Sequence, residues 1–158
     1  EEMITLRDEI AYIDSYLEIE KARLQGRLNV EKNFELRDDA WATKIPILML
    51  QPLVENAVQH GISKKESGGT VRINLREDGP YLKFHVKDDG PGADPEAFQR
   101  ILIAESPSSE GLGIALRNIH QRLVRLYGPS SGLQFKTAPN EGVEVSFQIP
   151  AIKREGTA

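Results

Sequence analysis

The stretch IPILMLQPLVENAVQHGI, residues 45–62, decides how the sequence around it folds. At about 100° per residue, its apolar side chains cluster on one arc of a helical wheel: Leu50, Leu53, Val54, Ala57 and Val58. The pattern predicts a helix that begins near Pro46, since proline is tolerated in a first turn. Pro52 lies inside this span, so either it kinks the helix or the regular helix begins there.

Three polar residues of this helix, Glu55, Asn56 and His60, raise the question of function. On the wheel, Asn56 and His60 share a direction at the flank of the apolar arc, whereas Glu55 points to solvent. Polar groups at the edge of a core are normally hydrogen-bonded. For this stretch by itself, hydrogen bonds to nearby backbone are therefore the simpler interpretation.

The remaining patterns predict an α+β protein. Apolar side chains at helical spacing predict three further helices, at residues 3–25, 94–103 and 112–127. Alternating polar and apolar side chains predict five strands, at residues 28–37, 71–77, 81–88, 133–139 and 143–150. We therefore expect a two-layer sandwich, in which a mixed sheet carries its helices on one face.

The composition excludes several classes of protein. The chain has 158 residues and a net charge of -4, which gives no electrostatic case for nucleic acid binding. It has no cysteine, so disulfides and cysteine-ligated metals are excluded. No apolar run approaches the roughly 18–20 residues that span a bilayer. The sequence opens without an initiating methionine, and we expect it to be part of a longer protein.

Two glycine motifs follow the helix in order. DDGPG, residues 88–92, comes directly after an apolar strand and fits either a tight turn or a backbone close to a ligand. GLG, residues 111–113, opens a helix, where free backbone N–H groups could meet an anion. Each motif alone is weak, since loop flexibility also explains it. Their order after the Asn56 helix, with Gly142 in a terminal hairpin, is a stronger signal.

This order resembles the ATP-binding domain of the gyrase, chaperone, histidine kinase and mismatch-repair superfamily. Within it, the phrases LRDEIAYIDSYLEIEKARLQGRL and IPILMLQPLVENAVQHGI are most similar to LytS-type sensor histidine kinases, and GLGIALRNIHQRLVRLYG adds to the likeness. The resemblance covers about residues 5–150 and implies a Bergerat-type sandwich with an extra N-terminal helix. It implies three parts: a linking helix at 1–26, the catalytic ATP-binding domain at 27–150 and a tail at 151–158.

The resemblance also implies roles for single residues. Asn56 would ligate the Mg²⁺ that bridges the ATP phosphates, and Glu55 is the candidate base or orienting group for phosphotransfer. His60 would face the phosphates, and Asp88 would accept the adenine amino group. The other residues implied to line ATP are Gly90, Gly92, Gly111, Leu112, Gly113, Asn118, Arg122 and Gly142. Residues 93–110 would form a lid over the nucleotide.

Three departures from the superfamily pattern refine this expectation. Pro52 stands where the gyrase branch carries a catalytic glutamate, which favours phosphotransfer over intrinsic ATP hydrolysis. Val143 stands where a threonine usually contacts adenine, so a weaker nucleotide affinity is expected. The family's phosphoacceptor histidine lies in a Pro-His-Phe segment, and none of His60, His85 and His120 has that context. We expect His85 and His120 to be structural or solvent-facing.

The sequence therefore predicts the ATP-binding catalytic domain of a two-component sensor histidine kinase, with ATP and Mg²⁺ as cofactors. In the intact protein, phosphate would pass to a histidine on an upstream helix of the same or the partner subunit, and then to a response regulator. We expect a homodimer whose domain lies on the cytoplasmic side of the bacterial inner membrane, and a soluble fragment. The alternatives are an anti-sigma-factor serine kinase and a degenerate, non-catalytic interaction module.

Overall fold

The computed structural model of the chain describes residues 2–63, 65–103 and 111–151. Within these ranges the helices and strands are β1 Met3–Thr5, α1 Leu6–Arg23, β2 Leu28–Glu35, β3 Lys44–Pro46, α2 Gln51–Asn56, β4 Gly69–Asp78, β5 Tyr81–Asp88, α3 Pro95–Ile103, α4 Gly111–Tyr127, β6 Gln134–Thr137 and β7 Val143–Pro150. The helix α2 continues directly into a π-helical turn, Ala57–Ile62. Short 3₁₀ turns occupy Asp38–Ala42 and Pro129–Ser131.

A five-stranded mixed sheet in the order β2-β4-β5-β7-β6 forms one layer of the fold. β2 and β4 are parallel and are joined through α2, whereas the other neighbours are antiparallel. Alternate residues of the central strands are buried, because one face of the sheet packs in the core. These residues are Val71, Ile73, Leu75, Leu82, Phe84, Val86, Val145, Phe147 and Ile149. The predicted α+β fold with a mixed sheet is confirmed.

The N-terminal helix α1 packs against this core. Its buried apolar side chains are Leu6, Ile10, Ile13 and Leu17. The helix begins at Leu6 and not at residue 3, because Met3–Thr5 form a short strand paired antiparallel with β3. Thr5 ends that strand in an extended conformation, and its Oγ1 accepts a hydrogen bond from the Asp8 N–H at 3.1 Å. This N-cap separates strand from helix.

The helix α2 begins at Gln51, so the prediction of a helix from Pro46 was wrong. Pro46 belongs to β3, where it pairs with Met3. Leu48 follows with a φ of 58°, a left-handed conformation that breaks any continuous right-handed helix. Pro52 lies in the first turn of α2, where its missing N–H costs no hydrogen bond. Of the two alternatives for Pro52, the one in which the regular helix begins there is therefore correct.

His85 and His120 both have partners within the fold. The Leu133 N–H donates to Nδ1 of His120 at 3.0 Å, which ties α4 to the turn before β6. Burial lowers the pKa of His120, in agreement with a neutral ring that accepts this hydrogen bond. His85 lies 3.3 Å from the Glu144 carboxylate, where β5 and β7 adjoin.

Candidate functional site

A buried carboxylate ends the strand β5. Asp88 is 4% exposed, and its Oδ1 accepts the Gly90 N–H at 2.8 Å. Burial raises the pKa of Asp88, although the N–H groups of Gly90 and Val143 act in the opposite direction. A buried carboxylate with so few donors has acceptor capacity left over. Asp88 can therefore bind a hydrogen-bond donor that comes from outside the protein.

Asp89, the second aspartate of the DDGPG motif, has different hydrogen-bond partners. Asp89 Oδ1 accepts the Thr70 N–H at 2.9 Å, and the Asp89 carbonyl accepts Lys65 Nζ at 2.9 Å. These bonds fasten the end of β5 to the start of β4. Asp89 is thus a structural residue, and the two adjacent aspartates are distinguished by burial and by partner.

Two glycines make room for the Asp88 carboxylate. A Cβ on Gly61 would lie 2.6 Å from Asp88 Cγ and 2.7 Å from its Oδ1. A Cβ on Gly90 would lie 2.5 Å from the Gly61 Cα. The backbone of the π-helical turn therefore packs directly on the carboxylate and on the turn after β5. Gly61 is absent from the predicted site, although a glycine inside a helical pattern was the available signal.

The turn after β5 and the terminal hairpin also pack closely. Gly92 and Gly142 have φ values of 71° and 74°, which favour glycine. A Cβ on Gly92 would collide with the Ala138 carbonyl, and one on Gly142 with the Asp88 carbonyl. The structure therefore places both predicted glycines against the ends of β5 and β6. Each is needed for this close approach of backbones.

A threonine that the sequence analysis missed joins these two turns. The Thr137 hydroxyl accepts the Ala93 N–H at 3.0 Å and donates to the Gly142 carbonyl at 2.7 Å. Thr137 lies on β6 directly opposite Val143, the position where a threonine was expected. Both of its bonds run to the protein backbone, so its role here is to hold the turns together.

Asn56 presents an unusual oxygen on α2. Its side-chain Oδ1 is buried and has no hydrogen-bond partner among the described residues. Leaving such a group unpaired costs about 1–3 kcal/mol. The simpler interpretation from the sequence, a hydrogen bond to nearby backbone, is therefore not found for this atom. An amide oxygen is a ligand that Mg²⁺ accepts, so Asn56 fits the metal role that the resemblance implies.

A metal ion at Asn56 would need its other ligands from outside the protein. Across residues 2–63, 65–103 and 111–151, no group of three or more histidines, aspartates or glutamates could hold a metal. Mg²⁺ commonly takes only one or two protein oxygens and completes its shell with phosphate and water. A single amide oxygen is consistent with that pattern.

Glu55 faces α1. The Gln51 Nε2 donates to Glu55 Oε1 at 2.9 Å. Burial raises the pKa of Tyr16 on α1 to about 12, and the negative charges of Glu20 and Glu55 contribute. Glu55 thus lies where α1 and α2 meet.

His60 lies on the π-helical turn, and its side chain is exposed. The Ser63 N–H donates to the Val58 carbonyl at 2.9 Å, a bond that spans five residues and widens the helix here. The ideal wheel that gave His60 and Asn56 one direction does not apply to a π turn. The role of His60 toward phosphate therefore stays a prediction.

The predicted residues of α4 divide into two groups. Gly111, Leu112 and Gly113 open the helix, as a glycine-rich anion-binding turn requires. Asn118 is exposed. Arg122 donates to the carbonyl of Ile47 at 2.7 Å and to that of Leu48 at 3.5 Å, just before α2. Residues 104–110 of the predicted lid lie outside the described residues.

A surface depression in the described part of the chain lies away from these residues. It is lined by Phe34, Glu35, Leu36, Arg37, Glu77 and Gly79, and by none of the predicted site residues. Side-chain chemistry is a better guide to the site than this depression, because Asp88 and Asn56 each bury an oxygen with capacity for a ligand. The candidate site is therefore the edge where α2, its π turn and the end of β5 meet.

Comparison with known proteins places this geometry in a family. Residues 43–153 match the family of histidine kinase-, DNA gyrase B-, and HSP90-like ATPases. The chain belongs to this family. It is 35% identical to the sensor protein LytS of Bacillus subtilis, over 94% of this chain and 25% of LytS. It is 36% identical to the sensor histidine kinase YpdA of Escherichia coli, over 95% of this chain and 25% of YpdA.

Two further points follow from the comparison. The chain spans about a quarter of the length of these curated relatives. Its fold is that of the catalytic domain of the histidine kinase ThkA, with a TM-score of 0.67 at 16% identity over 97% of this chain and 98% of that one. The predicted superfamily and the likeness to LytS-type kinases are confirmed.

The contact between Gly61 and Asp88 gives a first prediction. Gly61→Ala should weaken nucleotide binding by about tenfold or more, because the new methyl group displaces the carboxylate that we expect to position the base. Gly79→Ala is the control for general destabilisation, since a Cβ there meets nothing within 4 Å, but the φ of 58° strains an alanine at the opposite end of β5. Isothermal titration with an ATP analogue measures both. Equal affinities for Gly61→Ala and the unchanged chain would contradict this role for Gly61.

Proposed function

We propose that this chain is the ATP-binding catalytic domain of a sensor histidine kinase, and that it presents MgATP to a histidine outside this sequence. The unpartnered amide oxygen of Asn56 carries the proposal, together with membership of the ATPase family. A buried oxygen without a partner is unfavourable unless a ligand satisfies it. In a nucleotide site, that ligand would be the metal ion on the phosphates.

At the adenine end, Asp88 would supply the recognition. Its carboxylate accepts hydrogen bonds, and the exocyclic amino group of adenine donates them. Guanine presents a carbonyl oxygen at that edge, which a carboxylate repels. A side chain at Gly61 would collide with the carboxylate, so glycine at this position would keep it in place for the base. Val143 adds no hydroxyl, which favours a modest affinity.

At the phosphate end, Asn56 would ligate Mg²⁺, and Gly111–Gly113 would face the phosphates through backbone N–H groups. The ion would neutralise charge that develops on the phosphates during transfer. His60, Asn118 and Arg122 are the other proposed neighbours of the nucleotide. Arg122 already binds two backbone carbonyls, so it would act mainly by holding the turn before α2.

The helix α2 lacks a glutamate at the gyrase position that could activate water, and this favours phosphotransfer over hydrolysis. Pro52 cannot activate water, so hydrolysis has no glutamate base at the gyrase position. Glu55 faces α1 and would orient or deprotonate a group that arrives from that side. The acceptor would be a histidine on an upstream helix of the same or the partner subunit. Residues 1–26 would lead to that helix while packing on the domain formed by 27–150, with 151–158 as a tail.

The next recipient of phosphate would be a response regulator. ThkA, whose fold this chain shares, has also been solved in complex with the response regulator protein TrrA. We further propose that the intact protein is a homodimer at the bacterial inner membrane, with this domain on the cytoplasmic side. In the part of the chain that the structure describes, no helix is sufficiently long and apolar to traverse a bilayer.

One observation supports a second candidate function. Val143 removes a polar contact to adenine that the superfamily usually has, as expected for a degenerate interaction module. Titration with an ATP analogue separates the two, because a degenerate module would not bind at millimolar nucleotide. Absence of binding at that concentration would overturn the kinase proposal.

The metal role of Asn56 gives the second prediction. Asn56→Ala should lower the gain in nucleotide affinity that Mg²⁺ provides by about tenfold or more, because the protein ligand is lost. Asn74→Ala is the control, since Asn74 is exposed on β4. Titrations with and without Mg²⁺ measure the gain. An unchanged Mg²⁺ dependence in Asn56→Ala would contradict the metal role.

The third prediction concerns Glu55 in the intact kinase. If Glu55 acts as the base, Glu55→Gln should slow phosphotransfer by about 10²-fold or more while nucleotide affinity stays the same. Glutamine keeps the hydrogen-bonding size of the side chain and removes its basicity. Single-turnover transfer from labelled ATP is the measurement. A normal transfer rate would remove Glu55 from the chemistry.

A further inference from the structure

The turn that starts α2 is held by a buried carboxylate from another helix. Glu9 of α1 is 2% exposed, and its Oε1 accepts the Gln51 N–H at 3.1 Å. The N–H groups of Leu48 and Leu50 also face this carboxylate. Burial raises the pKa of Glu9 despite these donors and the nearby charge of Arg122. Such a burial of charge is unfavourable without compensating partners.

The same turn is held from its other side by α4. Arg122 donates to the carbonyls of Ile47 and Leu48. Leu48 adopts a φ of 58°, which is unfavourable for a residue with a Cβ and persists where the surroundings impose it. Glu9 takes the N–H groups and Arg122 takes the carbonyl groups. Together they fix the backbone of residues 47–51, which we call the α2 entry turn.

The α2 entry turn lies close to Asn56. Five residues of helix, about 8 Å, separate Gln51 from Asn56. Leu50, at the N-cap position, makes no side-chain capping hydrogen bond of its own. The first N–H groups of a helix need an acceptor, and a negative charge there is also favourable to the helix dipole. Glu9 therefore supplies from α1 the cap that α2 lacks.

We propose that Glu9 is a positioning residue for Asn56. By fixing the α2 entry turn with Arg122, it sets the direction in which the Asn56 amide oxygen points. This inference rests on the proposed metal role of Asn56. A shift of α1 along α2 would break the bond between Glu9 and Gln51, so movement of α1 would also change the position of Asn56.

The test measures the Mg²⁺-dependent gain in affinity for an ATP analogue, together with stability to urea. Glu9→Ala should reduce that gain by about tenfold, the usual effect of removing a partner that orients a metal ligand. Its affinity in the absence of Mg²⁺ should match the unchanged chain. The Mg²⁺-dependent gain of Glu9→Gln should lie between that of Glu9→Ala and that of the unchanged chain, because its amide oxygen can still accept the Gln51 N–H.

A matched control separates positioning from stability. Glu20 is another buried glutamate of α1. Its carboxylate pairs with the Arg23 guanidinium at a distance of 2.6 Å, and this pair does not belong to the α2 entry turn. Glu20→Ala should lower the urea midpoint and leave the Mg²⁺-dependent gain intact. In an Asn56→Ala background, Glu9→Ala should have no further effect on the gain, since both act on one ligand.

The outcomes distinguish this inference from the proposed function. A gain that is lost in Asn56→Ala but intact in both Glu9 variants would overturn the role of Glu9 and leave the kinase proposal standing. Equal losses in Glu9→Ala and Glu20→Ala would overturn it too, because stability alone would explain them. If Glu9→Ala does not fold, a wild-type gain in Glu9→Gln overturns the inference. If Mg²⁺ does not raise the nucleotide affinity of the unchanged chain, the metal role itself is contradicted.

Discussion

The Asp88 carboxylate packs directly against the backbone of Gly61, and the candidate site depends on this contact. It joins the end of a central strand to the π turn of α2, so two distant parts of the chain meet at one edge of the sheet. The contact leaves no space for a side chain at Gly61 or Gly90. A buried carboxylate is costly, and the N–H groups of Gly90 and Val143 and the charge of Lys65 compensate for it in part. A donor on a ligand would complete the arrangement.

The polar groups buried around α2 act on different parts of it. Glu9 binds its first turn, Asn56 carries an unpaired oxygen at its end, and Asp88 meets the turn that follows. An apolar core would be a simpler way to hold a helix, so buried polar groups that break local rules point to function. Arg122 and Glu9 bring α4 and α1 to the same short turn, where movement of either helix would reach Asn56.

Much of this fold could be predicted because the strands follow a simple rule. The alternation in β4 and β5 predicts both strands and their buried faces, whereas the role of Asp88 was implied only by the resemblance. The start of α1 was missed, because Met3–Thr5 continue the helical spacing and only pairing with β3 makes them a strand. The π turn was missed for a related reason, since apolar spacing does not distinguish it from an α-helix.

The site was less predictable than the fold because its key features are tertiary. Glu9 reads as an ordinary polar residue of a helix, and only packing shows that it is buried at the start of α2. Gly61 has no side chain to suggest a role, and only the fold shows that its backbone packs against the Asp88 carboxylate. Arg122 stays a predicted neighbour of the nucleotide, and its hydrogen bonds to the carbonyls before α2 are evident only in the fold. That the Asn56 oxygen lacks a partner can be seen only in three dimensions.

A crystal structure of this chain with Mg²⁺ and a non-hydrolysable ATP analogue would show which residues bind the base and the ion. We expect the adenine amino group to donate to the Asp88 carboxylate beside Gly61, and Asn56 Oδ1 to ligate the ion. An adenine bound away from Asp88, or an ion held without Asn56, would contradict this expectation.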